Sequence, residues 1–373
     1  MLFRAVCLCA IGLLSWSSNI KAQDLDWSSF SIPDSVFLTA VAASPTRLVA
    51  IGFEGEPEFG AGVAFTSTSG SDWQPLDVGH ETQQLQEVVY LRDRWLISRS
   101  DGLLHQSFDG IEWSVISIPE ALRSRWFSIV ELNGEVVLVG TPGLFLQGPS
   151  VRVIASKDLL NWQLRYERTD DNDLGGPFFL QTVSSGSELV SVVFTFEGSF
   201  TRRRSWTSFD GEKWQEGDQA LEDVIWFDDR FLGIALWDGK TNPIGQRLQG
   251  GDWDFPAFQT DAERKFQVLA RNGTRLIMSS GAQEPRLVLS SDLGQTWAPA
   301  NLSTVDAQAY VGSLIAWRGG WVGVGNGVIL GAPIALRSVP ALSWQSFIVL
   351  VFGVFLASLS FVRRRFIDAS ESD

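Results

Sequence analysis

Carboxylates placed shortly before a tryptophan recur along this 373-residue chain. SFDGIEW sets Asp109 before Trp113, SKDLLNW sets Asp158 before Trp162, SFDGEKW sets Asp210 before Trp214, and SSDLGQTW sets Asp292 and Gly294 before Trp297. A pair of carboxylates roughly 5 to 10 Å apart hydrolyses glycosides, and a cluster of side-chain oxygens binds Ca²⁺. Asp170, Asp171, Asn172 and Asp173 have the second composition without the spacing of an EF-hand, and a solvated loop has the same composition. Glu54, Glu56 and Glu58 are opposite in charge to Arg202, Arg203 and Arg204, a pairing that suits a binding patch or two solvated ends. Trp237 and Asp238 join these as candidate ligand contacts. Other chemistries lack their parts. His80 and His105 stand alone, so neither a zinc motif nor a Ser-His-Asp set is visible. His105 lies in an alternating strand and reads as a packed side chain. Both cysteines, Cys7 and Cys9, fall in the N-terminal leader, which leaves no thiol nucleophile, thiolate metal site or disulfide beyond it. No catalytic residue, metal or cofactor is assigned.

The elements that position these residues repeat. Trp73, Trp113, Trp162, Trp214, Trp253 and Trp297 follow one another at steps of 40, 49, 52, 39 and 44 residues. Each unit carries short apolar runs of period two joined by polar turns, such as LQEVVYLRDRWLIS and LEDVIWFDDRFLGIAL, with no helical pattern between them. Four strands in about 45 residues is the signature of a β-propeller blade. A seventh unit opens at Tyr310 and has three strands. Its fourth is expected at the other end of the chain, where Asp26-Trp27-Ser-Ser-Phe-Ser-Ile-Pro33 matches Glu112-Trp113-Ser-Val-Ile-Ser-Ile-Pro119. The expected fold is therefore all-β: a seven-bladed propeller over 23–338, closed by an N-terminal strand that brings Trp27 in as the seventh tryptophan.

The two ends carry addresses. Arg4, the apolar run 5–14 and a polar stretch to Ala22 read as a signal peptide over 1–22. Residues 344–362 hold no charge and run directly into Arg363, Arg364 and Arg365, which reads as a transmembrane helix with a cytoplasmic tail over 363–373. The region between the leader and the helix has 24 Lys and Arg against 40 Asp and Glu, a net charge of −16 that disfavours nucleic acid and anionic lipid as partners.

Two resemblances follow from these residues. Ser290-x-Asp292-x-Gly294-x-Thr296-Trp297 resembles the Asp-box, or BNR, repeat of sialidases and related propellers. The likeness implies a structural turn on the face away from any active site, with Asp109, Asp158, Asp210 and Asp292 binding their own backbone and the tryptophans wedged between blades. Ser67-Thr-Ser69-Gly70 lacks the aspartate, and Gly250-Gly251 before Trp253 keeps only the turn. Sialidases also need three arginines, a tyrosine nucleophile with its glutamate and an aspartate acid; their Arg-Ile-Pro is absent, and Tyr90, Tyr166 and Tyr310 stand in no matching context. Separately, Val339-Pro340-Ala341-Leu342-Ser343-Trp344, an apolar run and an arginine cluster resemble the IPTL-CTERM sorting tails of bacterial envelope proteins. That likeness implies a linker over 339–343 that a membrane-embedded sorting protease cuts.

The expectation is an exported, membrane-anchored, non-enzymatic module that binds an envelope protein or a glycan. The alternatives are a secreted sialidase-like hydrolase and an assembly factor similar to the Asp-box propellers that help build photosynthetic complexes. By strand order, the tryptophan-linked turns share a face with the turns between first and second strands. The opposite face carries the longer insertions, at 52–62, 140–150, 168–177, 195–204 and 236–246, where ligand contacts are expected.

Overall fold

The structure, a computed structural model, describes residues 25, 27–56, 60–79, 83–142, 150–169, 178–197, 200–235, 244–255, 266–280, 287–294, 296–302 and 310–332. They form seven antiparallel sheets. Each begins with an inner strand: Val36–Ala43, Leu85–Leu91, Arg125–Leu132, Phe178–Ser184, Leu221–Phe227, Phe266–Asn272 and Val311–Trp317, in blades 1 to 7. Inner strands of successive blades contact one another, the seventh returns to the first, and the ring is closed. The molecule is a seven-bladed β-propeller. Blade 7 takes its outermost strand from Ser28–Ser31, which pairs with Val328–Ala332 from Ser28 opposite Gly331 to Ser31 opposite Val328. This closure leaves neither end of the ring as an open sheet edge. Among the described residues no helix is long and apolar enough to cross a membrane. The leader at 1–22 and the segments 339–373 lie outside the described residues.

The core is divided among the blade interfaces, and a tryptophan sits in each. Trp113 packs with Val49, Ile51 and Val88 between blades 1 and 2, Trp162 with Leu104 and Ile154 between blades 2 and 3, and Trp214 with Val153 and Val193 between blades 3 and 4. Trp253, Trp297, Trp27 and Trp73 do the same at the remaining four interfaces, the last joining blade 7 to blade 1. A sheet twisted about its own strands leaves a wedge-shaped gap beside its neighbour, and a large flat ring fills it.

The Ser-x-Asp turns aim these rings. Ser107 Oγ donates to Asp109 Oδ1 at 2.9 Å, and the same oxygen accepts the backbone N–H groups of Ile111 at 2.8 Å and Glu112 at 3.0 Å. The N–H of Glu112, then that of Ile111, hold the Asp109 carboxyl below the usual carboxylate range. Asp158 and Asp210 repeat the pattern with Leu160, Asn161, Glu212 and Lys213. Where other copies have glycine, Leu159 takes the left-handed conformation at φ 63°. The copies without aspartate are rescued in two ways. Ser69 Oγ accepts the N–H groups of Ser71 and Asp72 at 3.3 and 3.0 Å in place of a carboxylate. In blade 5 the carboxylate comes from another blade: Glu188 Oε2 accepts the Gly250 N–H at 2.8 Å.

Asp292 accepts the backbone N–H of Thr296 at 2.8 Å, its hydroxyl at 2.6 Å and the Ser290 hydroxyl at 2.7 Å, while Trp297 Nε1 donates to the Gly294 carbonyl at 3.0 Å. Asp292→Ala is expected to cost about 1–2 kcal/mol, as loss of a comparable capping carboxylate does. Urea titration measures this, and an unchanged midpoint would contradict the turn's role.

Blade 5 departs from the four-stranded expectation. Among the described residues it has three strands, Leu221–Phe227, Arg230–Ala235 and Ile244–Leu248, and its outer edge is a single bridge between Gln246 and Asp254. Trp253 still fills the interface, stacked on Phe255 at a centroid distance of 5.7 Å.

Candidate functional site at the mouth of the central channel

Every inner strand carries one extra residue near its start, where the pairing register with the second strand shifts: at Thr39, Gln86, Phe127, Leu180, Glu222, Gln267 and Gly312. Bulges re-aim side chains. Here, on three successive blades, they turn the next residue toward the neighbouring inner strand. Ser128 Oγ accepts the Thr182 N–H at 2.8 Å, Gln181 Nε2 donates to the Val224 carbonyl at 3.2 Å, and Asp223 Oδ2 accepts the Leu269 N–H at 2.6 Å. Two second-strand hydroxyls do likewise, Ser98 donating to the Trp126 carbonyl at 3.0 Å and Ser279 to that of Val311 at 2.8 Å. These bonds pin the blades together around the axis and leave the other bulge positions to line it.

Glu87 occupies the same position in blade 2. Its Oε1 accepts the N–H of Val88 at 3.2 Å, and it keeps part of its surface in contact with solvent. Burial pushes its carboxyl up to about 8, partly offset by the Val88 bond. Asp223 is pushed up to about 6 by burial, against the bonds from Leu269, Gln181 and Val224. The inner strands of blades 2 and 5 thus hold two acids whose carboxyls burial raises, Glu87 the further.

Inner strands begin on the face opposite the tryptophan-linked turns, so their first residues ring the channel mouth. Arg125 starts the third. Its guanidinium donates to Gln86 Oε1 at 3.1 Å and Gln84 Oε1 at 3.0 Å, and lies over the Phe127 ring at 5.7 Å. Phe127 in turn meets Phe178, the first residue of the fourth inner strand, edge-on at 5.0 Å. Beside them Arg99 bonds Asp101 at 2.5 Å and meets His105 Nε2 at 3.1 Å. Arginine has only donors, so that ring nitrogen accepts and is unprotonated. His105 is packed, as its alternating strand implies. The mouth across blades 2 to 4 therefore presents a braced cation on aromatic rings, an arrangement that receives carbonyl or carboxylate oxygens on one side and apolar side chains on the other.

The residues named from sequence as ligand contacts fall elsewhere or outside the described set. Glu58, Asp170, Asp171, Asp173, Trp237 and Asp238 lie outside it. Glu54 and Glu56 are exposed in blade 1, Glu54 accepting the Ser35 hydroxyl at 2.8 Å. The arginine run, expected in an inserted loop, lies in a strand: Leu189–Glu197 and Phe200–Ser208 form one long hairpin, with Arg202 opposite Thr195. The pairing runs without a register shift from Leu189 opposite Ser208 to Glu197 opposite Phe200. Arg203 forms an ion pair with Glu222 of blade 5 and lies over Phe194 at 4.8 Å; Arg204 pairs with Glu216 at 2.7 Å. Burial lowers the Arg203 pKa. The structure does not bring Glu54 and Glu56 to these arginines, because blades 1 and 4 are not neighbours. Among the described residues no group of three or more His, Cys, Asp or Glu could hold a metal ion.

Arg125, Gln84, Gln86, Phe127 and the acids of the channel went unnamed in the sequence. A signal existed in LQEV and LEDV, which put Glu87 and Asp223 at the same place in otherwise apolar runs.

The comparisons bear on the fold. No family model and no curated protein matches the sequence. Solved structures do. The chain is similar to YCF48 bound to D1 peptide, at 18% identity and a TM-score of 0.61, over 82% of this chain and 96% of that one. It is similar to YCF48 from Cyanidioschyzon merolae at 14% identity and a TM-score of 0.59, over 82% and 98%. The WD40 β-propeller domain of Doa1 follows at 10% and 0.57, over 84% and 98%.

Proposed function

We propose that this chain is a binding propeller that takes a protein partner at the mouth of its central channel, with Arg125 and Phe127 as the contact and the buried Phe178 as the support of the Phe127 ring. The observation that carries the reading is the Arg125 guanidinium held over Phe127 by two glutamine oxygens. Fixing a long cation in advance lowers the ordering cost of binding, and Arg and aromatics lead the residues that dominate interfaces. A structural neighbour recorded with a bound peptide, YCF48, supports a peptide over a small molecule. In this reading the leader exports the chain and 344–362 holds it in a bacterial inner membrane, propeller outside, with Asp-box turns as scaffold.

The test is site-specific photo-crosslinking in cells. A benzoylphenylalanine replacing Phe127 is expected to capture a discrete protein, and one replacing Phe209 on the opposite face is expected not to capture the same protein. With that partner purified, Arg125→Ala should weaken binding by about 10- to 100-fold, the usual cost of losing an interface arginine of 1.4–2.8 kcal/mol. Equal capture from both faces, or unchanged affinity, removes the channel mouth as the site.

A further inference from the structure

Large apolar side chains are exposed on one face of the propeller. Phe108 is 68% exposed, Ile111 51%, Leu160 76%, Phe209 52%, Leu248 57% and Leu293 46%. All six lie in the turns between third and fourth strands or at their edge, in blades 2 to 6. Two more, Val115 and Leu164, stand in the outer strands just past those turns, and of the nine exposed large hydrophobics among the described residues only Tyr310 belongs to the other face. Local geometry produces this. In Ser-Phe-Asp-Gly the serine and aspartate turn inward to each other and to the backbone, and the residue between them is left pointing away, as Phe108 and Phe209 are. Exposed apolar tips concentrated on one face are what a membrane- or partner-facing surface presents.

The path of the chain indicates the cover. Val328–Ala332, the third strand of blade 7, runs toward this same face, and the uncharged run 344–362 begins twelve residues after Ala332. We propose that the turn face rests on a lipid bilayer, with Phe108, Leu160, Phe209, Leu248 and Leu293 seated among the headgroups. Phe and Leu are the side chains that enter that layer from a peripheral surface. The turn carboxylates Asp109, Asp158 and Asp210 already accept their own backbone N–H groups, so they demand no new partner there. Acids (Glu112, Glu212, Asp228) and bases (Lys157, Lys213, Arg230, Arg318) alternate around this face, so zwitterionic lipid meets no uniform charge there. The inference rests on the reading that 344–362 spans the membrane.

The test uses the full chain, with Cys7→Ser and Cys9→Ser, in phosphatidylcholine nanodiscs. Single nitroxide labels are placed at Leu160→Cys and Phe209→Cys on the turn face and at Glu56→Cys on the other. The labels at 160 and 209 are expected to relax with dissolved oxygen and to lose relaxation by a water-soluble nickel chelate; the label at 56 should show the reverse. Nickel access at 160 and 209 equal to that at 56, in chains that have entered the discs, overturns the proposal alone. Failure of the chain to enter discs overturns the anchoring reading, and this proposal with it. Mutual broadening of the 160 labels between copies would assign the face to a second copy of the chain and overturn the lipid contact.

Discussion

Glu188→Ala is expected to destabilise the propeller by about 3–5 kcal/mol, the range for removing one partner of a buried ion pair. Glu188 is fully buried, at 0% exposure, and its Oε1 meets Arg247 at 2.7 Å. Its Oε2 accepts the Gly250 N–H at 2.8 Å, and Arg247 Nε donates to the Gly251 carbonyl at 2.6 Å. The pair stands where blade 5 has no Ser-x-Asp carboxylate, and it holds that turn from blade 4. Alanine would leave the Arg247 charge buried without its carboxylate and release the turn before Trp253, in the one blade whose described outer edge is a single bridge. Guanidinium unfolding should show the loss, and Glu188→Leu with Arg247→Met should recover much of it, because apolar side chains of similar volume remove the desolvation cost on both sides. A single variant within about 1 kcal/mol of wild type, in the range of exposed pairs, would show that the pair is dispensable.

The second large effect is a loss of stability with rising pH centred on Glu87. Burial pushes this carboxyl from 4.5 up to about 8, so between those values the folded chain keeps a proton that the unfolded chain has released. The associated stability is fully present below the unfolded value and is lost as pH rises through the folded one. The full shift corresponds to an upper bound of about 5 kcal/mol, and contact with water in the channel brings the expected loss nearer 2–3 kcal/mol. Glu87→Gln carries the neutral form at every pH. Its urea midpoint should stay level from pH 7 to pH 9 while wild type declines, and parallel profiles would refute the assignment. Asp223, pushed up to about 6, adds a loss of the same sign in a lower window, from its unfolded value near 3.8 upward. Asp223→Asn should therefore leave the slope above pH 7 in place.

Much of the scaffold is legible in the sequence. The tryptophan spacing, the alternating runs and the match between the segments at Trp27 and Trp113 specify seven blades and an N-terminal closing strand, and the structure has both. Asp109, Asp158, Asp210 and Asp292 each accept N–H groups two to four residues away, contacts local enough to recur with the tryptophans. The site is not legible in this way. Arg203 was visible as part of a charge run, but its partner Glu222 lies in the next blade, and the Arg202–Arg204 run belongs to a hairpin arm where a loop was expected.

The division has a physical cause. Blade number, strand order and turn chemistry are set by contacts among residues close in the chain, so they leave a periodic trace that one sequence displays. Contacts between blades join residues 59 apart at Glu188 and Arg247, 46 apart at Asp223 and Leu269, and 39 apart at Arg125 and Gln86. Each pair spans neighbouring blades, so no short stretch of sequence contains both partners. Only the packing of blade on blade brought Arg125 to Gln84 and Gln86 and Phe127 to Phe178, placed Glu87 against the axis, and gathered the apolar turn residues of five blades onto one face.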